Sequence, residues 1–183
     1  MHRYVAYSKL SVLPFSQGVA LLEALVDGEV KELSVVSNSL ASVPPALLAA
    51  LPTHLTSLEL TRCGLAPTHL LPLFSSMASP TSTIRHLTLR AAVLTNVPAS
   101  HLATALDSLE TVSMVDCRLT PPQTDVVFHT LRENISLRVV DISRNCLSSV
   151  KPAVLARVVN RLEEANLAHC SLTKGQVHPF NPF

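Results

Sequence analysis

From Val30 onward, apolar residues return at the first, fourth, sixth and eleventh positions of an eleven-residue frame. The frame is filled six times, by VKELSVVSNSL (30–40), LTSLELTRCGL (55–65), IRHLTLRAAVL (84–94), LETVSMVDCRL (109–119), LRVVDISRNCL (137–147) and LEEANLAHCSL (162–172). Ala165 is its weakest occupant. Alternation at the fourth and sixth positions has period two, so each segment reads as a strand with those two side chains on one face. The starts lie 25, 29, 25, 28 and 25 residues apart, which makes the underlying period a pair of units about 53 residues long.

The connectors alternate in the same way. The short ones, ASVPPALLAALPTH, TNVPASHLATALDS and SSVKPAVLARVVNR, place Val43, Val97 or Val150 three residues past the last frame leucine. A proline and a helical apolar stripe follow. The long ones, APTHLLPLFSSMASPTST and TPPQTDVVFHTLRENIS, carry Pro67 or Pro121 two residues past that leucine. Proline suits a first helical turn, where its missing N–H is not needed. Most of the 13 prolines therefore mark helix starts. Pro72, inside the helix expected over 68–78, is predicted to kink or shorten it.

Outside the frame, residues 1–29 read as a degenerate N-terminal repeat or cap. Val5, Tyr7 and Leu10 alternate weakly, and VALLEALV (19–26) has the pattern of a short amphipathic helix. Residues 173–183 begin like a long connector and then meet Pro179 and Pro182, a truncated tail without a polar capping helix. Terminal repeats need a polar outer face, so the expectation is that further repeats or another chain cover this end.

The ninth frame position reads Asn38, Cys63, Ala92, Cys117, Asn145 and Cys170. An Asn amide there can satisfy backbone groups of adjacent turns, and Cys fits as a small buried near-hydrophobe. The frame resembles that of leucine-rich repeats. Its Asn/Cys alternation and helical return resemble the ribonuclease-inhibitor-like class, which includes the repeat domains of NOD-like receptors and the GTPase-activating protein for Ran. The resemblance covers about residues 30–172. It implies an α/β fold, a right-handed leucine-rich-repeat solenoid forming a horseshoe arc, with parallel strands on the concave face and short helices on the convex face. It also implies a non-catalytic scaffold that binds a protein partner on its concave strands. The alternative is a repeat fragment of a larger innate-immune-type receptor or GTPase regulator.

Composition narrows the classes. A net charge of +1, 15% charged residues and 4% aromatics without tryptophan argue against nucleic acid as a partner. No run of 18 apolar residues suggests a membrane span, and the N-terminus shows no secretory leader. Cys63, Cys117 and Cys170 recur at 54 and 53 residues, a repeat phase. Two strands apart is roughly 10 Å, too far for a disulfide, so the expected compartment is reducing and cytoplasmic. The sequon Asn134-Ile135-Ser136 is read as a chance match.

For chemistry, the fifth, seventh and eighth positions should face the exposed side of the sheet. They supply Glu59, Arg62, Thr88, Arg90, Asp116, Asp141, Arg144 and Asn166 as candidate partner-binding residues, with Thr61, Ser143 and His169 beside them. Arg62 next to Arg90 is the like-charge neighbour pair and the expected centre of contact, with Glu59 its nearest acid. At the second position Arg85, Glu110, Arg138 and Glu163 alternate in sign and read as self-neutralising cross-strand pairs. No H-x-x-x-H or C-x-x-C spacing points to a metal. The four glycines are too scattered to cradle a phosphate, and no cofactor is expected. His54, His69, His101 and His129 fall in connectors and read as surface residues. Cys170, His169 and Asp141 do not make a catalytic triad, because the frame turns Cys170 inward and His169 outward. Cys146, at the tenth position, is the thiol expected to be most reactive.

Overall fold

The computed structural model describes residues 3–8, 19–20 and 30–177. Among these, the alternating segments form one parallel sheet of seven strands whose spatial order is the chain order. The strands are β1 (Arg3–Ser8), β2 (Val30–Val36), β3 (Ser57–Thr61), β4 (His86–Arg90), β5 (Thr111–Val115), β6 (Val139–Asp141) and β7 (Glu164–Asn166). Between them run α1 (Pro45–Ala50), α2 (Pro67–Met77), α3 (Ala99–Leu106), α4 (Pro121–Glu133) and α5 (Pro152–Val159), and α6 (Lys174–Val177) follows β7. Most of the helix expected at 19–26, and the residues beyond Val177, lie outside the described part. No helix among the described residues is long and apolar enough to cross a membrane.

Register follows the frame. Leu33, Leu58, Leu87, Val112, Val140 and Ala165 share one row across the sheet, and Val35, Leu60, Leu89 and Met114 share another. Except for Ala165, which is exposed, both rows are buried. They join the inner helix residues, including Leu70, Phe74, Leu106, Phe128 and Leu155, in one continuous core. Burying a leucine contributes about 1.5–3 kcal/mol, and no single unit could bury its set alone. Since the helices pack on these rows, the fifth and seventh positions line the opposite face, which carries no helix among the described residues.

Proline opens α2, α4 and α5 and sits at the N-cap of α1 and α3. The expectation for Pro72 is corrected in one respect: α2 runs through it for its full 11 residues. The carbonyl that Pro72 leaves without a partner is that of Thr68, an exposed residue in the first turn where water can reach it. Buried Leu70, Leu73, Phe74 and Met77 hold both sides of the helix against the core.

Each of the six frame units carries a left-handed residue just past its strand. Ser37, Arg62, Ala91, Asp116, Arg144 and His169, the eighth position of all six units, have φ between 53° and 61°. None is glycine, though this region is uncommon for other residues. The turn is held because its N–H continues the ladder into the next unit: Arg62 to Arg90 O at 2.9 Å, Ala91 to Val115 O at 2.9 Å, Arg144 to Ala168 O at 2.9 Å. Gly64, Arg118 and Ser171, at the tenth position, are also left-handed. These belong to the three units with Cys at the ninth position, so backbone and side-chain alternation have the same period.

Hydrogen bonds repeat with that period. The thiols of Cys63, Cys117 and Cys170 donate to the carbonyls of Val35, Leu89 and Ile142 in the preceding unit, at 3.2, 3.4 and 3.2 Å. Gln123 Nε2 donates to Leu94 O and Val97 O at 2.7 and 2.6 Å, while its Oε1 accepts the Thr120 N–H at 2.8 Å. Gln176 does the same to Leu147 O, Val150 O and Thr173. His69 stands at the matching place in the first pair, and here the surface assignment fails, because it is 5% exposed. Its Nδ1 accepts the Ala66 N–H at 3.3 Å, which leaves Nε2 to donate to Val43 O at 3.1 Å. A neutral imidazole with one donor and one acceptor thus substitutes for a glutamine amide. Asn134 ties Leu106 O and Leu109 O at 3.0 and 2.8 Å, so the sequon's amide is buried in packing.

Candidate interaction surface

The helix-free face is polar because strand alternation sends every second side chain there, and its chemistry is set by the strand ends. Four successive eighth positions, Arg62, Ala91, Asp116 and Arg144, line a hollow of about 330 Å³ together with Thr61, Arg90 and Val115. Ala91 explains the hollow. Its methyl sits between two longer side chains, on a turn that points each residue outward.

Of the expected partner-binding residues, the hollow gathers Arg62, Arg90, Asp116 and Arg144. Asp141 joins from its rim, its carboxylate 3.8 Å from the Arg90 guanidinium, with side-chain exposures of 21% and 47%. Asp141 Oδ1 also accepts the Ser143 N–H at 3.0 Å, which fixes the carboxylate. This pair adds a second acid to Glu59, the nearest one by sequence position. It skips a strand, since Asp141 lies in the row of Ser113 and Thr88. A search of immediate cross-strand neighbours misses it. The signal for it is the small Ser113 on the intervening strand, which lets a long arginine reach across.

Glu59 does not line the hollow. Its Oε2 accepts the Ser34 hydroxyl at 2.7 Å and its Oε1 the Thr61 hydroxyl at 3.2 Å. Asn166 caps its own turn through the Ala168 N–H at 3.1 Å, and Thr88 is half-buried in the middle of the sheet. Ser143, expected on the exposed face, is buried at 6% exposure, because the chain is already turning there. At the second position Arg138 meets Glu163 at 2.6 Å, both more than 60% exposed, a pair worth at most about 1 kcal/mol. Arg85 turns instead to its neighbour's carbonyl at Ile84.

Thiol chemistry follows burial. The Cys117 thiol is pushed up to about 12 and the Cys63 thiol to about 11, both mainly by desolvation. Cys170 is raised for the same reason. A protonated, hydrogen-bonded thiol is a poor nucleophile. Cys146 is exposed, and the Ser148 hydroxyl beside it, at 3.2 Å, lowers its pKa. Among the described residues no three His, Cys, Asp or Glu side chains cluster closely enough to hold a metal. No protein-family model matches the chain, and no curated protein matches it.

Proposed function

We propose that the chain is a leucine-rich-repeat scaffold of the ribonuclease-inhibitor-like kind, binding a protein partner through its helix-free, concave face without catalysing a reaction. The observation that carries this reading is the hollow between units two and five. Polar and charged side chains converge there on a rigid sheet, while the apolar frame stays uniform. Rigid strands position such groups at little ordering cost, which favours recognition. Arg62 and Arg144 are the residues to reverse, because Arg90 already holds Asp141. Arg62→Glu with Arg144→Glu should abolish partner capture from native lysate and leave the melting temperature within about 2 °C, since both side chains are exposed. Undiminished capture by a folded double variant would end the concave-face reading.

A second reading, a repeat segment working within a larger receptor or GTPase regulator, draws on unit six. Leu162, Leu167 and Leu172 are only partly buried, and all three residues of β7 are exposed. Concentration-dependent association in sedimentation experiments, removed by Leu167→Lys, would support it. A monomer at all concentrations would count against it.

A further inference from the structure

The geometry points to the hollow as a receptor for a single carboxylate side chain, Asp or Glu, presented by an acidic segment of the partner protein. This deepens the docking reading and rests on it. Within the lining, three guanidiniums, of Arg62, Arg90 and Arg144, stand against the one carboxylate of Asp116. With Asp141 set against Arg90 the excess is one positive charge, and Glu59, outside the lining, is engaged by the hydroxyls of Ser34 and Thr61. One carboxylate neutralises that excess. A run of phosphates, with about two charges each, would over-neutralise it.

The donors available also select the ligand. The strand-end amides that could form a backbone nest for phosphate are spent in the ladder, Arg62 N–H on Arg90 O and Asp116 N–H on Ser143 O at 2.9 and 3.1 Å. What remains free is side-chain guanidinium, whose planar fork matches a carboxylate with two parallel hydrogen bonds. Asp141 stands 3.8 Å from Arg90 on one side of the guanidinium, an ion pair without a hydrogen bond, so the donors of Arg90 stay available. The methyl of Ala91 leaves the floor open, and the volume of about 330 Å³ accepts a Glu side chain with its flanking backbone outside.

The test titrates ¹⁵N-labelled full-length chain with capped tri-glutamate, following the arginine Nε–H resonances, with capped tri-glutamine and inorganic phosphate in parallel. The expected result is saturable shifts of Arg62, Arg90 and Arg144 with tri-glutamate, none with tri-glutamine, and weaker shifts with phosphate. Arg62→Gln or Arg144→Gln should each weaken binding roughly tenfold, the loss of one charge-assisted hydrogen bond. Ala91→Leu, which fills the hollow and changes no charge, should abolish it. Equal binding of phosphate, undisturbed binding by Ala91→Leu, or absence of binding would each overturn the carboxylate assignment. If tri-glutamate fails while the Arg62/Arg144 reversal still loses the captured partner, only the ligand class falls. If both fail, the docking face falls with it.

Discussion

Two junctions between neighbouring units share the same apolar frame and differ at one side chain. Between units four and five, buried Asn145 donates to the carbonyls of Met114, Ile142 and Ser143 at 2.7, 3.0 and 3.2 Å. Its Oδ1 accepts the N–H groups of Cys117 and Leu119 at 3.1 and 3.3 Å. Between units two and three the same position is Ala92, and no described residue accepts from the corresponding amides of Cys63 and Leu65. The Ala junction has a longer ladder, Ser57 to Thr61 paired through His86 to Arg90, where the Asn junction pairs only Thr111 to Ser113 with Val139 to Asp141. Stacking is thus secured in two ways, by strand length or by a side-chain bridge. The junction without the bridge is also the one whose small Ala91 stands at the hollow.

Asn145→Ala should produce the largest effect. It leaves the buried amides of Cys117 and Leu119 without their acceptor and takes the amide donor from the Met114 carbonyl, while Ile142 O keeps the Cys170 thiol and Ser143 O the Asp116 N–H, costing on the order of 3 kcal/mol. Urea unfolding should show this, with faster hydrogen exchange at those two amides. A cost below about 1 kcal/mol would mean that the short ladder holds the junction unaided.

The converse substitution, Ala92→Asn, should stabilise by about 2 kcal/mol, since it offers the bridge to Cys63 and Leu65. Loss of stability would show that the longer ladder has closed the space that Asn145 uses.

Alkaline unfolding separates the junctions by dryness. The Cys63 and Cys117 thiols titrate at about 11 and 12 in the folded chain, above their ordinary value of 9.0. A raised folded pKa means that the contribution is complete below pH 9 and declines as pH rises from there. Each thiol then adds a slope of at most ~1.4 kcal/mol per pH unit. Cys63→Ala and Cys117→Ala should flatten the curve equally between pH 9 and 10. A missing Cys63 contribution would show water entering the junction between units one and two, where its thiol meets the Val35 carbonyl.

Much of this was readable in the residues. The period of two placed Leu58, Leu60, Leu87 and Leu89 on one face, and the connectors announced α helices between parallel strands, because burial leaves few other arrangements for such a frame. The inner-turn roles of Asn145 and Cys117 also followed from size and hydrogen-bonding capacity. Three features escaped. His69 looked like a surface histidine on its own, and only its spacing to Gln123 and Gln176 marks it as a buried cap. The Arg90–Asp141 pair spans two strands, beyond the reach of neighbour rules. The hollow depends on absence, a methyl at Ala91 between longer residues, and periodic patterns register what is present.

The smallest effect concerns the turn beneath the hollow. Ala91 is exposed with φ of 54°, while Gly64, on the other side of the same junction, has φ of 61°. A left-handed conformation costs a non-glycine residue about 1–2 kcal/mol, partly offset by the greater freedom glycine loses on folding. Ala91→Gly should therefore stabilise by somewhat under about 1 kcal/mol. Gly64→Ala should lose a similar amount, and the loss is purely of the backbone. A Cβ there would meet its nearest atom, Ser39 Oγ, at 3.6 Å, an ordinary contact. Thermal unfolding of the two variants, with opposite shifts of similar size, would establish that the left-handed turn is strained by conformation alone. If Ala91→Gly destabilises instead, the methyl is packing against the hollow's arginine stems, and the same variant should then weaken tri-glutamate binding. A folded, stabilised Ala91→Gly protein that still binds would separate the two roles of this turn: its backbone sets the strain, and its missing bulk leaves room for the ligand.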